Sequence, residues 1–126
     1  MKRYTCPCCG YRVFAAPPGS EEICPLCGWL DDLMHLRFVL FGGLPNGISL
    51  AEAQQNVVQI GAKDAAALGS VRFPNASDKR DPDWRPFDPE TDEAEGIPTD
   101  FDGLSEPEDP TSLYYWLPTY YRRVAL

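Results

Sequence analysis

The chain has 126 residues, enough for one domain with a moderate core and too few for a second autonomous one; at 44% hydrophobic and 12% aromatic it has a folded chain's composition rather than a disordered one's. A formal charge of -8 makes nucleic acid a poor partner, and no stretch reaches the roughly 18 apolar residues of a membrane span. The expected compartment is the cytoplasm, because the opening "MKRYTCPCCG" is not followed by an apolar stretch of signal-peptide length.

The first element is a pair of matching turns. Cys-Pro-X-Cys-Gly occupies positions 6 to 10 and again 24 to 28, so Cys6, Cys9, Cys24 and Cys27 give a C-x2-C-x14-C-x2-C spacing. A Cys-x-x-Cys turn aims two sulfurs at one centre, and two such turns supply a tetrahedral four-sulfur cage. Pro7 and Pro25 pre-set φ at the start of each turn, while Gly10 and Gly28 accept the positive φ that turns backbone N–H groups toward sulfur. An odd number of clustered cysteines points to metal ligation in a reducing compartment rather than to a disulfide framework. One structural Zn2+ is expected, contributing on the order of 10 kcal/mol to the folded state. Iron accepts the same four thiolates, as in rubredoxins, whose knuckles these resemble. Cys8 is left over, as a knuckle-tip residue, an alternative ligand exchanging with Cys9, or a redox-sensing thiol.

Between the turns, "YRVFAAPPGSEEI" predicts a strand, a Pro-Pro-Gly-Ser turn and a return strand, so that residues 11–23 form a hairpin within a zinc ribbon over about residues 4–30. Trp29 is placed to cover the metal site. Asp31 and Asp32 predict a solvated turn or a helix start, and the apolar run after them leaves helix and strand unresolved up to Gly42-Gly43. His35, the sole histidine, is expected in the core or on the surface, since four cysteines already complete a site. Ser49 with Glu52 three positions on is a capping box, and Leu50, Ala53, Val57 and Ile60 share one face of a helix that stops at Gly61. A second short helix is predicted from Asp64 to Leu68, ended by Gly69.

The combination of "CPCCG", "ICPLCGWLDD" and "NGISLAEAQQNVVQIGA" resembles the cysteine-rich CPCC family of small bacterial proteins, and "KRDPDWRP" extends the likeness to about residues 4–87. The resemblance implies a metal-bound ribbon followed by a helix in a bacterial cytoplasm. Toxin-immunity or defence neighbourhoods are the suggested setting of such proteins. The apolar "LMHLRFVLFGGLP" is richer than expected of the family at that point.

Residues 88–126 stand outside the likeness as an extension packed on a 1–87 domain. Residues 1–87 carry nine basic and nine acidic side chains, whereas 88–126 carry ten acids against Arg122 and Arg123, so the whole imbalance lies there. Four prolines at 89, 98, 107 and 110 rule out a long helix or a central strand in the acidic run. "LYYWLPTYYRRVAL" then brings five aromatics between Tyr114 and Tyr121, expected to anchor the tail on the core as a strand and to contribute interface contacts.

The fold class expected is therefore small α+β: a zinc ribbon with rubredoxin-like knuckles, an amphipathic helix and a Pro-rich acidic extension ending in an aromatic segment. One histidine, no phosphate-cradling Gly-rich loop with Lys and no nucleophile–base pairing argue against an enzyme. The leading expectation is a zinc-stabilised binding protein, an immunity protein whose acidic surface occludes the active site of a basic bacterial toxin. The partner-binding residues expected are Asp88, Glu90, Asp92, Glu93, Glu95, Asp100 and Asp102, with Tyr114, Trp116 and Tyr120. A rubredoxin-like or thiol-based redox protein is the first alternative and a nucleic-acid-associated ribbon the second, though the latter lacks a basic stripe.

Overall fold

A computed structural model describes residues 2–124. Its regular elements are few and short: strands β1 (Tyr4–Thr5) and β2 (Arg12–Phe14), helices α1 (Leu33–Arg37), α2 (Leu50–Ile60) and α3 (Tyr121–Val124), and 3-10 turns at Ala65–Ser70 and Pro110–Leu113. No helix among the described residues is long and apolar enough to cross a membrane.

Each cysteine turn is closed by its own flanking backbone. Around the first, β1 and β2 pair antiparallel, with Tyr4 opposite Phe14 and Thr5 opposite Arg12. Around the second, a single antiparallel bridge joins Ile23 to Leu30. The expected hairpin over residues 11–23 is thus replaced: β2 pairs back to the residues before the first turn, and no return strand follows it. Pro17 and Pro18 carry no N–H for a ladder, and Glu21 at φ 62° breaks an extended run. Side chains hold the insert instead, with the Glu22 carboxylate accepting from Ala15 N at 3.1 Å and from Ala16 N at 3.3 Å.

The acid pair at 31 and 32 divides its work. Asp32 caps α1, accepting from His35 N at 3.0 Å. Asp31 is buried and accepts from the Ser20 hydroxyl at 2.6 Å, which ties the insert to the second turn. The run that was ambiguous in sequence becomes one five-residue helix followed by irregular chain, and Leu36, Phe38 and Val39 are buried.

Helix α2 begins where the capping box places it, with Ser49 Oγ accepting from Glu52 N at 3.2 Å, and ends at Gly61 with φ 83°. Leu50 and Ala53 are fully buried and Val57 packs against the core. Ile60, expected on the same face, is exposed, since the last turn of the helix projects past the core. The segment after it is a 3-10 turn capped by Asp64, and Gly69 lies within that turn rather than ending it.

Residues beyond α2 complete the core rather than trail from it. Leu113, Tyr114, Tyr115 and Trp116 are buried in the same cluster as the cysteines. They do so from a 3-10 turn and successive tight turns, with Leu117 N donating to Tyr114 O at 3.2 Å and Tyr120 N to Leu117 O at 3.1 Å. A strand would send alternate side chains to opposite faces and expose every second one; a turn buries four in a row. Residues 88–109 contain neither helix nor strand.

Candidate metal centre

The two turns are built alike and face one another. In the first, Gly10 N donates to Cys6 O at 2.8 Å and Cys6 N to Tyr11 O at 2.8 Å; in the second, Gly28 N donates to Cys24 O and Cys24 N to Trp29 O, both at 2.9 Å. Gly10 and Gly28 share φ 84°, a conformation that costs any residue with a Cβ. Both glycines are also needed for space, because a Cβ at Gly10 would lie 2.5 Å from the Trp84 ring and one at Gly28 would lie 2.8 Å from the Ala67 methyl.

This geometry brings Cys6, Cys9, Cys24 and Cys27 to one point. Their sulfur atoms all lie within 4.8 Å of one another, with Cys6 Sγ 3.6 Å from Cys27 Sγ and Cys9 Sγ 3.7 Å from Cys24 Sγ. A tetrahedron with metal–sulfur bonds of about 2.3 Å has sulfur–sulfur edges of about 3.8 Å, so the spacing fits a four-thiolate metal site. The four residues are buried, and every cysteine of the chain is a free thiol.

Burial also shows why the cluster suits a cation. It pushes the Cys6 thiol well up, and the hydrogen bond with Cys24 raises Cys9 and Cys27. Cys24 is pulled down, by hydrogen bonds from the sulfurs of Cys27, Cys6 and Cys9 and by the Leu26 N–H, which donates to its Sγ at 3.4 Å. Four sulfurs sharing one dry volume do not all ionise without a positive charge among them; a divalent cation held by Cys6, Cys9, Cys24 and Cys27 would supply it.

Surrounding groups fix the turns in place, and sequence reasoning missed most of them. The Pro7 carbonyl accepts from Gln54 Nε2 at 2.9 Å and from Trp84 Nε1 at 3.0 Å. Gln54 also donates to the Tyr115 hydroxyl at 2.9 Å and accepts from Phe87 N at 2.8 Å, so one buried amide joins the first turn, α2 and the chain after residue 80. The only sequence signal was a polar residue beside the apolar face of an otherwise regular helix. Across the second turn, Asn46 exchanges a pair of 3.0 Å hydrogen bonds with the Leu30 backbone, and Lys63 N donates to Cys27 O at 2.8 Å.

Trp29 and His35 lie fully buried, their rings edge to face at 5.3 Å, with Phe41 5.1 Å from the imidazole. His35 is thus a core residue, its Nε2 accepting from Asn46 N at 3.4 Å, and burial pushes its pKa down. Cys8 is buried too, and burial raises its thiol; a redox sensor needs the opposite, an exposed and readily ionised sulfur.

The residues expected to bind a partner separate into three groups. Tyr114 and Trp116 are buried, stacked at 4.5 Å, and spend their faces on the core; the Tyr114 hydroxyl donates to Thr5 O at 3.0 Å. They are therefore not available as interface anchors, because the fold itself uses their area. Asp92 and Glu95 are held in ion pairs: Arg85 grips both oxygens of Asp92 at 2.6 and 2.8 Å and keeps its carboxyl below the usual range, and Arg37 meets Glu95 at 3.0 Å. Glu90, Glu93, Asp100 and Asp102 are exposed, while Asp88 and Tyr120 are half-buried. Phe101, within the acidic run, packs 5.6 Å from Phe38 and 5.0 Å from Phe41, a second anchor for that run.

A family model described as Cysteine-rich CPCC matches residues 4–78, a span that holds both cysteine turns and α2 and ends before Trp84 and the C-terminal aromatics. Comparison with curated proteins and with solved structures gives no significant match.

Proposed function

Since this chain belongs to the cysteine-rich CPCC family, we propose that it is a non-enzymatic binding protein stapled by one zinc ion, and that it serves as a bacterial immunity protein. In this reading Cys6, Cys9, Cys24 and Cys27 hold the metal in a rubredoxin-like zinc-ribbon arrangement. Zinc there supplies cohesion and no chemistry, since four protein thiolates fill its coordination sphere. The partner is a basic toxin whose active-site cleft is covered by the acidic surface.

The observation that carries the proposal is the tethering of the acidic run. Arg85–Asp92, Arg37–Glu95 and the Phe101 contacts pin residues 88–102 to the body, while Glu90, Glu93, Asp100 and Asp102 stay exposed. An ordered set of like charges docks to a cationic cleft without a large ordering cost and repels acidic competitors. A solvated linker needs no such tethers.

Native mass spectrometry of the chain co-expressed with the product of the adjacent gene tests both halves. The expected spectrum holds a stoichiometric complex with one zinc per copy of this chain, lost when Glu90, Glu93, Asp100 and Asp102 are replaced by lysine. A chain that stays alone defeats the immunity reading. Iron in place of zinc turns the assignment toward electron transfer.

A further inference from the structure

A groove of about 790 Å³ opens beside the β1–β2 pair, and Lys2, Arg3, Arg12, Arg72 and Lys79 line it. Five of the eleven basic residues of a chain with charge -8 thus share one concavity. Its carboxylates are Asp78, Asp81 and Asp83, and two are already engaged. Arg72 donates to both oxygens of Asp78 at 2.8 and 3.0 Å. Asp81 accepts from the Thr5 hydroxyl at 2.7 Å and pairs with Arg12 at 3.5 Å. Among the described residues no ion pair engages Lys2, Arg3 or Lys79: Lys2 sits 5.1 Å over the Tyr4 ring, and Arg3 and Lys79 donate to backbone carbonyls.

We propose that this groove binds an acidic peptide segment of a partner protein, at a site separate from the exposed acids described above. Charge complementarity selects the class of ligand, and the arrangement of the groove selects within it. The cations come from four separate stretches of chain around an open cleft, with Asp83 among them. A phosphate dianion gains most where several donors converge on one point, and a neighbouring carboxylate repels it. Single carboxylates spaced along an extended peptide each meet one Lys or Arg and pass the aspartate between them. Tyr4, Val13, Pro25 and Leu117, in the same lining, give apolar contact to the residues between the acids.

The test is fluorescence anisotropy with the full-length, metal-loaded protein and a short labelled peptide in which glutamate alternates with serine and leucine. Saturable binding is expected at low salt, weakening as the Debye length shrinks. Reversing two exposed rim charges, Lys2→Glu with Lys79→Glu, is expected to weaken it by about tenfold or more. Circular dichroism melts of the same variant confirm that the fold survives, since neither side chain is buried. The proposal is overturned by absence of saturable binding, by equal affinity of the double variant, or by a single-stranded oligonucleotide that displaces the peptide at lower concentration, which would reassign the groove to nucleic acid.

Discussion

Gln54 and Pro7 are joined across 47 positions of sequence by a 2.9 Å hydrogen bond from the Gln54 amide to the Pro7 carbonyl, inside the turn that carries Cys6 and Cys9. The same amide accepts from Phe87 N and donates to Tyr115, so α2, the first cysteine turn and the chain beyond the family match meet at one buried side chain. Replacing Gln54 by Leu keeps the volume and strands the Phe87 N–H and the Tyr115 hydroxyl contact. A loss of about 2–3 kcal/mol is expected, from the cost of buried donors without acceptors. Urea unfolding of the metal-loaded protein measures it, with Gln55→Leu, on the exposed side of the helix, as the variant that should unfold like the wild type.

The cysteines separate by role. Cys24→Ser should abolish stoichiometric metal and with it the tertiary structure, because binding at such a site supplies on the order of 10 kcal/mol of folding free energy. Cys8→Ser should keep one metal per chain, since Cys8 stands outside the four-sulfur cluster. Metal content by mass spectrometry alongside near-ultraviolet circular dichroism decides between them. Loss of metal from the Cys8 variant would make Cys8 an exchanging ligand after all.

Gly10, Gly28 and Gly61 have nearly the same positive φ, yet they should not respond alike to alanine. Nothing lies within 4 Å of a Cβ at Gly61, so only the left-handed backbone opposes it, at about 1 kcal/mol. A Cβ at Gly10 also meets the Trp84 ring at 2.5 Å, and one at Gly28 meets Ala67 at 2.8 Å. Those two variants should lose about 2–4 kcal/mol, adding overpacking to strain. Equal denaturation midpoints for Gly10→Ala and Gly61→Ala would show that Trp84 yields freely.

His35 gives a pH dependence whose sign follows from its surroundings. Burial lowers its pKa, with the charge of Asp32 opposing in part. The folded state therefore holds the neutral imidazole, and its stability is complete above the unfolded value of about 6.5. As pH falls through that value the unfolded chain takes up the proton first, and stability declines until the lower folded pKa is passed. As the sole histidine, His35 gives one imidazole signal, and an NMR titration of the folded protein should place its midpoint below that of a free histidine. A midpoint at or above the free value would mean that the ring is solvated.

How much of this was legible in advance depends on the distance over which each feature is determined. The cysteine turns were plain because Pro, Gly and sulfur spacing act within five residues, and α2 was plain because Ser49 and Glu52 specify its start locally. The hairpin over 11–23 failed because β2 has a nearer partner in β1, while prolines and Glu21 deny it a return strand. Tyr114 and Trp116 looked like interface anchors because nothing local tells a buried aromatic from an exposed one. Gln54 was invisible for the same reason: its three partners lie 33 to 61 positions away.

Arg37 is the remaining lever, since it decides whether the acidic run is a surface or a loose strand of charge. Its Nε donates to both oxygens of Glu95 at 3.1 and 3.2 Å, and its Nη1 donates to Ser105 O at 3.0 Å, so one guanidinium holds two points of the run. Both side chains of the pair are mostly sequestered, at 13% and 15% exposure, and the interaction is screened less than a surface pair. Arg37→Ala leaves Glu95 with the Tyr121 hydroxyl and with Arg122 at 3.8 Å. A global loss of only about 1–2 kcal/mol is expected. The larger effect is local: amides of residues 96–109 should exchange with deuterium faster, while those of α2 stay protected, because the Asp92 clamp and the cysteine turns are untouched. If the exposed acids act as a pre-ordered face, the same variant binds its basic partner more weakly without any change in the charges that touch it, by the cost of ordering the segment anew. Unchanged exchange in 96–109 would place the ordering elsewhere, with Phe101 against Phe38 and Phe41 as the next residue to remove.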